Sequence, residues 1–462
     1  LTYFPDAGSN VPIFRVTKVN GTPGGGDATV INGILEINSS FTFGGGSAKT
    51  FRNGIRGNTT LSQSANANNR FFITAPNAIL DGSALQIILS NPLNLLSSTT
   101  IPVGANITIS GGNVDNSSSS CLFTINGSLD MTDQRITNTN GTVVVNGTYR
   151  TSNSGGFSGT NSSIPSGGII VNPGSTIELY ALADQGLNKR DDFYNLVFSG
   201  SGIKTPGNGF SPTGTITIKD NATLDCTSHN LSGTLTNLTM TDNSRLIVGT
   251  ISTQPAMEGT YSLIGGTVEF ANNSGNPQSV RTIDGGYNNI EVSGKSVNNS
   301  NGNIILNPGG SFTVSPTGIF TINDDAITGA DGVQTLTIQS GGIFNCGSSL
   351  GFYGALAGLN SPSVKDDIEN ISLEPGSTIN YSRSDPPLAN SDQMITPIGA
   401  SGTIPYQNLI LSGNGNKTAP SGTLEIQGNL TKSGSAVFMH HDGTVLLDGS
   451  AEQTYSSTLP QM

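Results

Sequence analysis

Charge is what this sequence has least of. Asp, Glu, Lys and Arg make up 11% of its 462 residues, well under the quarter usual for soluble globular domains. Nineteen basic residues against 31 acidic ones give a net charge of −12, and no basic cluster exceeds Lys189-Arg190. Phosphate contacts dominate nucleic-acid affinity and anionic bilayers attract basic patches, so the sequence argues against both partners. No apolar run approaches the roughly 20 residues that span a bilayer. The most apolar stretch, Ala84 to Leu96, is broken by Asn91-Pro92 and reads as two strands around a turn. Cysteine occurs three times, at Cys121, Cys226 and Cys346, with no CxxC pair and no metal spacing. An odd count excludes a complete set of intrachain disulfides, so the three read as small inward-facing core residues. Tryptophan is absent, and no i, i+3, i+4, i+7 apolar stripe of useful length exists, which removes helices from the expectation.

What fills the chain instead is Gly, Ser, Thr and Asn around short alternating runs of Val, Ile, Leu and Phe. Segments such as "GTITIKDNATLDC" (214–226) and "GTLEIQGNL" (422–430) share one form. A Gly or Asn turn leads into four or five alternating residues, then another turn, at roughly ten-residue intervals. The class is all-β. Asn, Gly, Ser and Thr at turn positions suit stacked coils with ladders of like residues, and the spacing is even. The expected fold is therefore a β-solenoid, a right-handed parallel β-helix, with tandem β-sandwiches as the alternative.

A longer period overlies the short one. "FYNLVFSGSGIKT" (193–205) returns as "YQNLILSGNGNKT" (406–418), and "YNNIEVSG" (287–294) is a third copy. The copies start at Phe193, Tyr287 and Tyr406, 94 and 119 residues apart. Their anchors are Phe193, Asn195 and Gly200, then Tyr287, Asn289 and Gly294, then Tyr406, Asn408 and Gly413. Upstream of each stands a strand after a glycine ("STIEL", "TVEF", "STINY") and a variable segment holding Gln185, Gln278 or Gln393. Downstream, "GTITI", "GNIIL" and "GTLEI" are read as equivalent strands opening new coils. The cycle divides the chain into 1–165, a diverged repeat region, then 166–286, 287–405 and an incomplete 406–462. The last segment supplies the strand and Gln453 and stops where a fourth phrase is due, which predicts that the polypeptide continues. The first residues carry neither an initiator Met nor signal-peptide features, which predicts a mature product or a piece of something longer.

The phrases Tyr406 to Thr418 with "SGTLEIQGNLT" (421–431), and Phe193 to Thr205 with "TGTITIKDNATL" (213–224), resemble the very large repetitive cell-surface proteins of Bacteroidota. The resemblance covers about 300 residues, 165–462. It implies an extracellular protein, commonly exported by the type-nine route, serving adhesion, gliding or fibre building. Self-association into a homo-oligomeric fibre and a cell-surface or glycan ligand are the partners it suggests. The C-terminal sorting domain of that route is not in this chain.

Catalytic chemistry is sparse. A β-helix polysaccharide lyase or hydrolase, the enzyme alternative, needs carboxylates clustered on one face beside a cation. The candidates are Asp191-Asp192 and Asp366-Asp367, but neighbours on a strand point to opposite faces, so neither pair forms a dyad in extended chain. They read as loop charges or local ion pairs. His440, His441 and Asp442 are metal-competent, yet Asp-Gly turn chemistry explains the segment. Asp324, Asp325 and Asp331 lie in an oxygen-rich loop and are the calcium candidates, with a spacing matching neither an EF-hand nor a nonapeptide repeat. No other cofactor is expected. N-x-S/T sequons at Asn20, Asn126, Asn221, Asn237 and Asn416 are what chance predicts in such a composition. The phrase-opening aromatics read as core packing at a coil junction rather than a sugar-stacking row, and Lys204 and Lys417 as caps or covers of a turn.

Overall fold

The computed structural model describes residues 2–457, apart from 6–11, 17–28, 117, 119, 138–139, 166–167, 189, 234–235, 299–301, 356–360, 385–390 and 400–401. Two compact units divide the chain, residues 1–224 with 233–236, and residues 225–232 with 237–462. Among the described residues there is no helix, and the parallel strands stack as a right-handed β-solenoid of about 18 turns. No helix is long and apolar enough to cross a membrane.

In the first unit each coil has three sides, each a strand of three to five residues. Phe71–Ile73, Ala78–Asp81 and Leu85–Ile88 form one such coil. Thr29, Lys49, Phe71, Leu93, Val114 and Ile136 occupy one position on successive coils, 20 to 22 residues apart. Alternation along each strand sends every second side chain inward: Phe71 and Ile73 are fully buried with Phe72 between them half-exposed. Stacked coils then place like on like, and Phe43, Phe51 and Phe71 meet with ring centres 5.2 to 5.8 Å apart. Each such side chain contributes about 1.5–3 kcal/mol by leaving water. Ala84 to Leu96 does form two strands, Leu85–Ile88 and Leu93–Leu95. They belong to different sheets, so the turn between them is a corner of the coil and not a hairpin. The one antiparallel ladder described joins Thr2–Pro5 to Pro12–Val16.

The segment that fits the long cycle least is thus evenly coiled. In the second unit Ile319, Ile343, Thr378 and Asn408 share a position and are 24, 35 and 30 residues apart. Sides of the coil there are lengthened by loops and added strands.

The three phrases occupy equivalent places. Asn195–Phe198 stacks on Thr176–Leu179, the strand of Tyr287–Val292 on Thr267–Phe270, and Asn408–Leu411 on Thr378–Tyr381, each with Thr opposite Asn. The downstream equivalence needs correction. Thr215–Ile218 stacks directly on the first phrase, but the second and third phrases receive Ser311–Val314 and Leu430–Lys432. Ile304–Leu306 and Thr423–Ile426 come earlier in the coil, and touch the phrases only at Tyr287 opposite Leu306 and Tyr406 opposite Ile426. An additional strand segment in these coils shifts the register that sequence similarity suggests.

Each phrase also marks the start of a sheet. Gln185–Leu187 and Ile203–Pro206 are the first two strands of one sheet, while the first phrase belongs to its neighbour. In the second unit Gln278–Ser279 and Lys295–Asn298 begin an eight-stranded sheet, and Gln393–Met394 and Asn416–Thr418 begin a three-stranded one. The long repeat is the interval at which a new face of the coil is opened.

Candidate functional site

These sheet-opening joints gather most of the residues singled out in the sequence. Phe193, Tyr287 and Tyr406 are at most 1% exposed, which settles their role as packing. The Tyr287 hydroxyl donates to the Arg281 carbonyl at 2.6 Å, and Tyr406 donates to Thr396 at 2.6 Å while sharing a 2.7 Å hydrogen bond with Tyr381. Burial raises both phenol pKa values, that of Tyr381 to about 12. The phrase asparagines bridge coils: Asn195 accepts from the Thr215 amide, Asn408 from the Asn429 amide, and Asn289 from the Ser311 hydroxyl, at 2.8 to 3.0 Å. The glycines pass under a neighbouring backbone. At Gly413 (φ 74°) a Cβ would lie 2.1 Å from the Arg383 carbonyl oxygen.

The repeated glutamines are internal struts. Gln185 Nε2 donates to the Thr151 and Asn153 carbonyls of the preceding coil at 3.0 and 2.9 Å, and its Oε1 accepts from the Ala181 amide. Gln393 does the same to Cys346 and Ser348, both at 2.9 Å, and accepts from the Arg383 amide. Gln453 repeats it on Ile426 and Gly428. The first strand of a new sheet has no strand beneath it, so carbonyls of the coil below need another donor. One carboxamide supplies two hydrogens at the required spacing.

The lysines were expected at the surface, covering a turn, and that is wrong. Lys204 and Lys417 are fully buried. Each stands in register with the glutamine one coil before it, Lys204 on Gln185 and Lys417 on Gln393. Lys204 Nζ donates to the Ala181 carbonyl at 2.6 Å, and Lys417 Nζ to Gln393 Oε1 at 2.6 Å and the Arg383 carbonyl at 3.3 Å. Burial lowers the Lys204 pKa to about 8. Their inward direction follows from strand parity, and the signal was present: each lysine falls one coil length, 19 or 24 residues, after a glutamine.

Elsewhere the flagged groups stay apart. Arg190 holds both oxygens of Asp192 at 2.8 and 2.6 Å, and Lys365 holds Asp367 at 2.6 Å. Asp324 is paired with Arg383 at 2.5 Å and Asp331 is exposed. Among the described residues no three His, Cys, Asp or Glu side chains come close enough to hold a metal ion. His441 and Asp442 take φ values of 43° and 56° in a turn, where the Asp442 amide donates to His440 Nδ1. Cys121, Cys226 and Cys346 are free and buried, as expected of core residues, and burial raises the Cys346 thiol pKa to about 11. Asn20 lies outside the described residues.

Compared with family models, curated proteins and solved structures, the chain matches none. Two features escaped sequence reasoning. Half-buried arginines sit between carboxylates of neighbouring coils, Arg150 with Glu178 and Asp130 at 2.7 and 3.2 Å, and Arg245 with Glu269 and Glu291 at 2.7 and 2.6 Å. A cleft of about 390 Å³ is walled by Glu258, Tyr261, Arg281 and Asp284. The Arg281 guanidinium lies 5.5 Å from the Tyr261 ring centre. Such a cleft suits a small polar ligand, and it contains the only pairing of an aromatic ring with both charge signs that any described cleft provides.

Proposed function

We propose that this chain is a non-enzymatic extracellular segment of a large bacterial surface protein, a rigid stalk or fibre element for attachment to surfaces, cells or prey. One observation carries the reading: the residues the sequence repeats are spent inside the coil. Aromatic, Asn, Gly, Gln and Lys at each joint hold one coil to the next, and recurrence of an internal strut is what a repeating scaffold requires. The outward surface is Ser, Thr, Asn and ion pairs, suited to an exposed position outside the cell. Fibre formation and a glycan ligand belong to the same proposal.

Incubation with a panel of acidic and neutral polysaccharides, followed by reducing-end and unsaturated-product detection, tests the non-enzymatic part; depolymerisation of any of them sinks it. Beads coated with the chain are expected to adhere to glycan-coated or cell surfaces above an uncoated control. Electron microscopy of native material separates single stalks from bundled filaments.

A further inference from the structure

The middle joint departs from its neighbours in one position. Its turn after the phrase is shorter, so the residue in register with Gln278 is Ser296 instead of a lysine, and Lys295 is exposed. Gln278, Ser296 and Asn298 are all at most 1% exposed. Ser296 and Asn298 are two apart on one strand and point to the same interior, and Gln278 lies on the adjacent strand of the same sheet.

Four polar atoms here have no hydrogen-bond partner within the protein: Gln278 Oε1 and Nε2, Ser296 Oγ and Asn298 Oδ1. The Asn298 amide group is fixed by donation to the Gly302 carbonyl at 3.0 Å, so its oxygen is left as an acceptor. Elsewhere such atoms occur singly, on Asn69, Asn116, Ser244 and Gln334. Buried polar groups without partners are costly, and native interiors satisfy them with protein, water or ions.

At the two flanking joints the corresponding space receives a lysine ammonium held by neutral oxygens, as the Lys204 and Lys417 contacts show. We propose that the middle joint is a site for a monovalent cation of ammonium or potassium size, which takes the place of that lysine head group. Gln278 Oε1, Ser296 Oγ and Asn298 Oδ1 are its ligands. All three are neutral oxygens, the donor set of the lysine sites and a poor one for a divalent ion, which favours carboxylates. Gln278 Nε2 is a donor, so the ion enters with a water that accepts from it.

The test is unfolding of the full chain at constant ionic strength in chloride salts of potassium, ammonium, rubidium, sodium and choline. Potassium and ammonium are expected to raise the melting temperature over choline by about 2–4 °C, saturating with concentration. Ser296→Lys supplies its own ammonium and is expected to lose that response. If this variant does not fold, Asn298→Leu removes one ligand and is expected to weaken the response. Rubidium-soaked crystals should show an anomalous peak among the three side chains. Identical melting in all five salts overturns the site in favour of internal water alone. A response that persists in Ser296→Lys overturns it too, because the cation then acts elsewhere.

Discussion

Lys204 puts a titratable group where only neutral oxygen can receive it. Burial lowers its pKa to about 8 from an ordinary 10.5, so the unfolded chain binds more protons between those values. Stability is therefore expected to rise as pH increases from 8 toward 10.5, and to gain nothing from this group below pH 8. Urea midpoints across pH 7 to 10 check it, with Lys204→Met expected to remove the rise. Gln393 is the residue on which most depends at its joint. Gln393→Leu leaves the Cys346 and Ser348 carbonyls, the Arg383 amide and Lys417 Nζ each short of a partner. A loss of about 2–4 kcal/mol in equilibrium unfolding is expected. Gln453→Leu, whose side chain is half-exposed and can exchange its bonds for water, is expected to lose less.

Strands and turns carry the next level. Thr321, Asn345, Asn380 and Ser412 form a side-chain ladder up successive coils, with steps of 3.0, 2.9 and 2.8 Å. Asn345→Ala interrupts it in the middle, and a loss of about 1 kcal/mol is expected by urea unfolding. Gly413→Ala is expected to cost more, about 1–3 kcal/mol, since a left-handed φ and the Arg383 carbonyl both oppose a Cβ. Much of this level was legible beforehand. Alternation in "TIEL", "TVEF" and "STINY" located strands and their buried positions, because period two is written locally. Stacking register was not legible: whether "GTLEI" or "GNLT" sits on the third phrase depends on how many sides a coil has. Side-chain direction at Lys204 and Lys417 was missed because a charged residue in a Gly-rich phrase reads as a turn cover. Only the glutamine one coil earlier argues otherwise. The middle-joint site was invisible, since Ser296 is one serine among many until its register partner is known.

Across the whole molecule two periods run together, a coil of 20 to 22 residues in the first unit and a joint every 94 to 119 residues. Solenoid stability is nearly a sum over neighbouring coils, so whole coils are interchangeable in a way that fractions are not. Deleting residues 93–113 brings Val114 onto the coil of Phe71 with every inward position preserved. That variant is expected to keep its β-sheet circular dichroism and a cooperative transition. Deletion of residues 93–103, about half a coil, exchanges faces and is expected to lose both.

Sheet-opening has a mechanical side as well. Within a sheet, neighbouring coils are tied by a row of main-chain hydrogen bonds that share any load between them. At the edge where a sheet begins, one glutamine side chain stands in for part of that row. Under tension the second unit should therefore yield at a joint before it yields within a sheet. It should yield first at Gln278, whose carboxamide grips nothing of the protein, making that joint the place where stretching and the solution's cations meet.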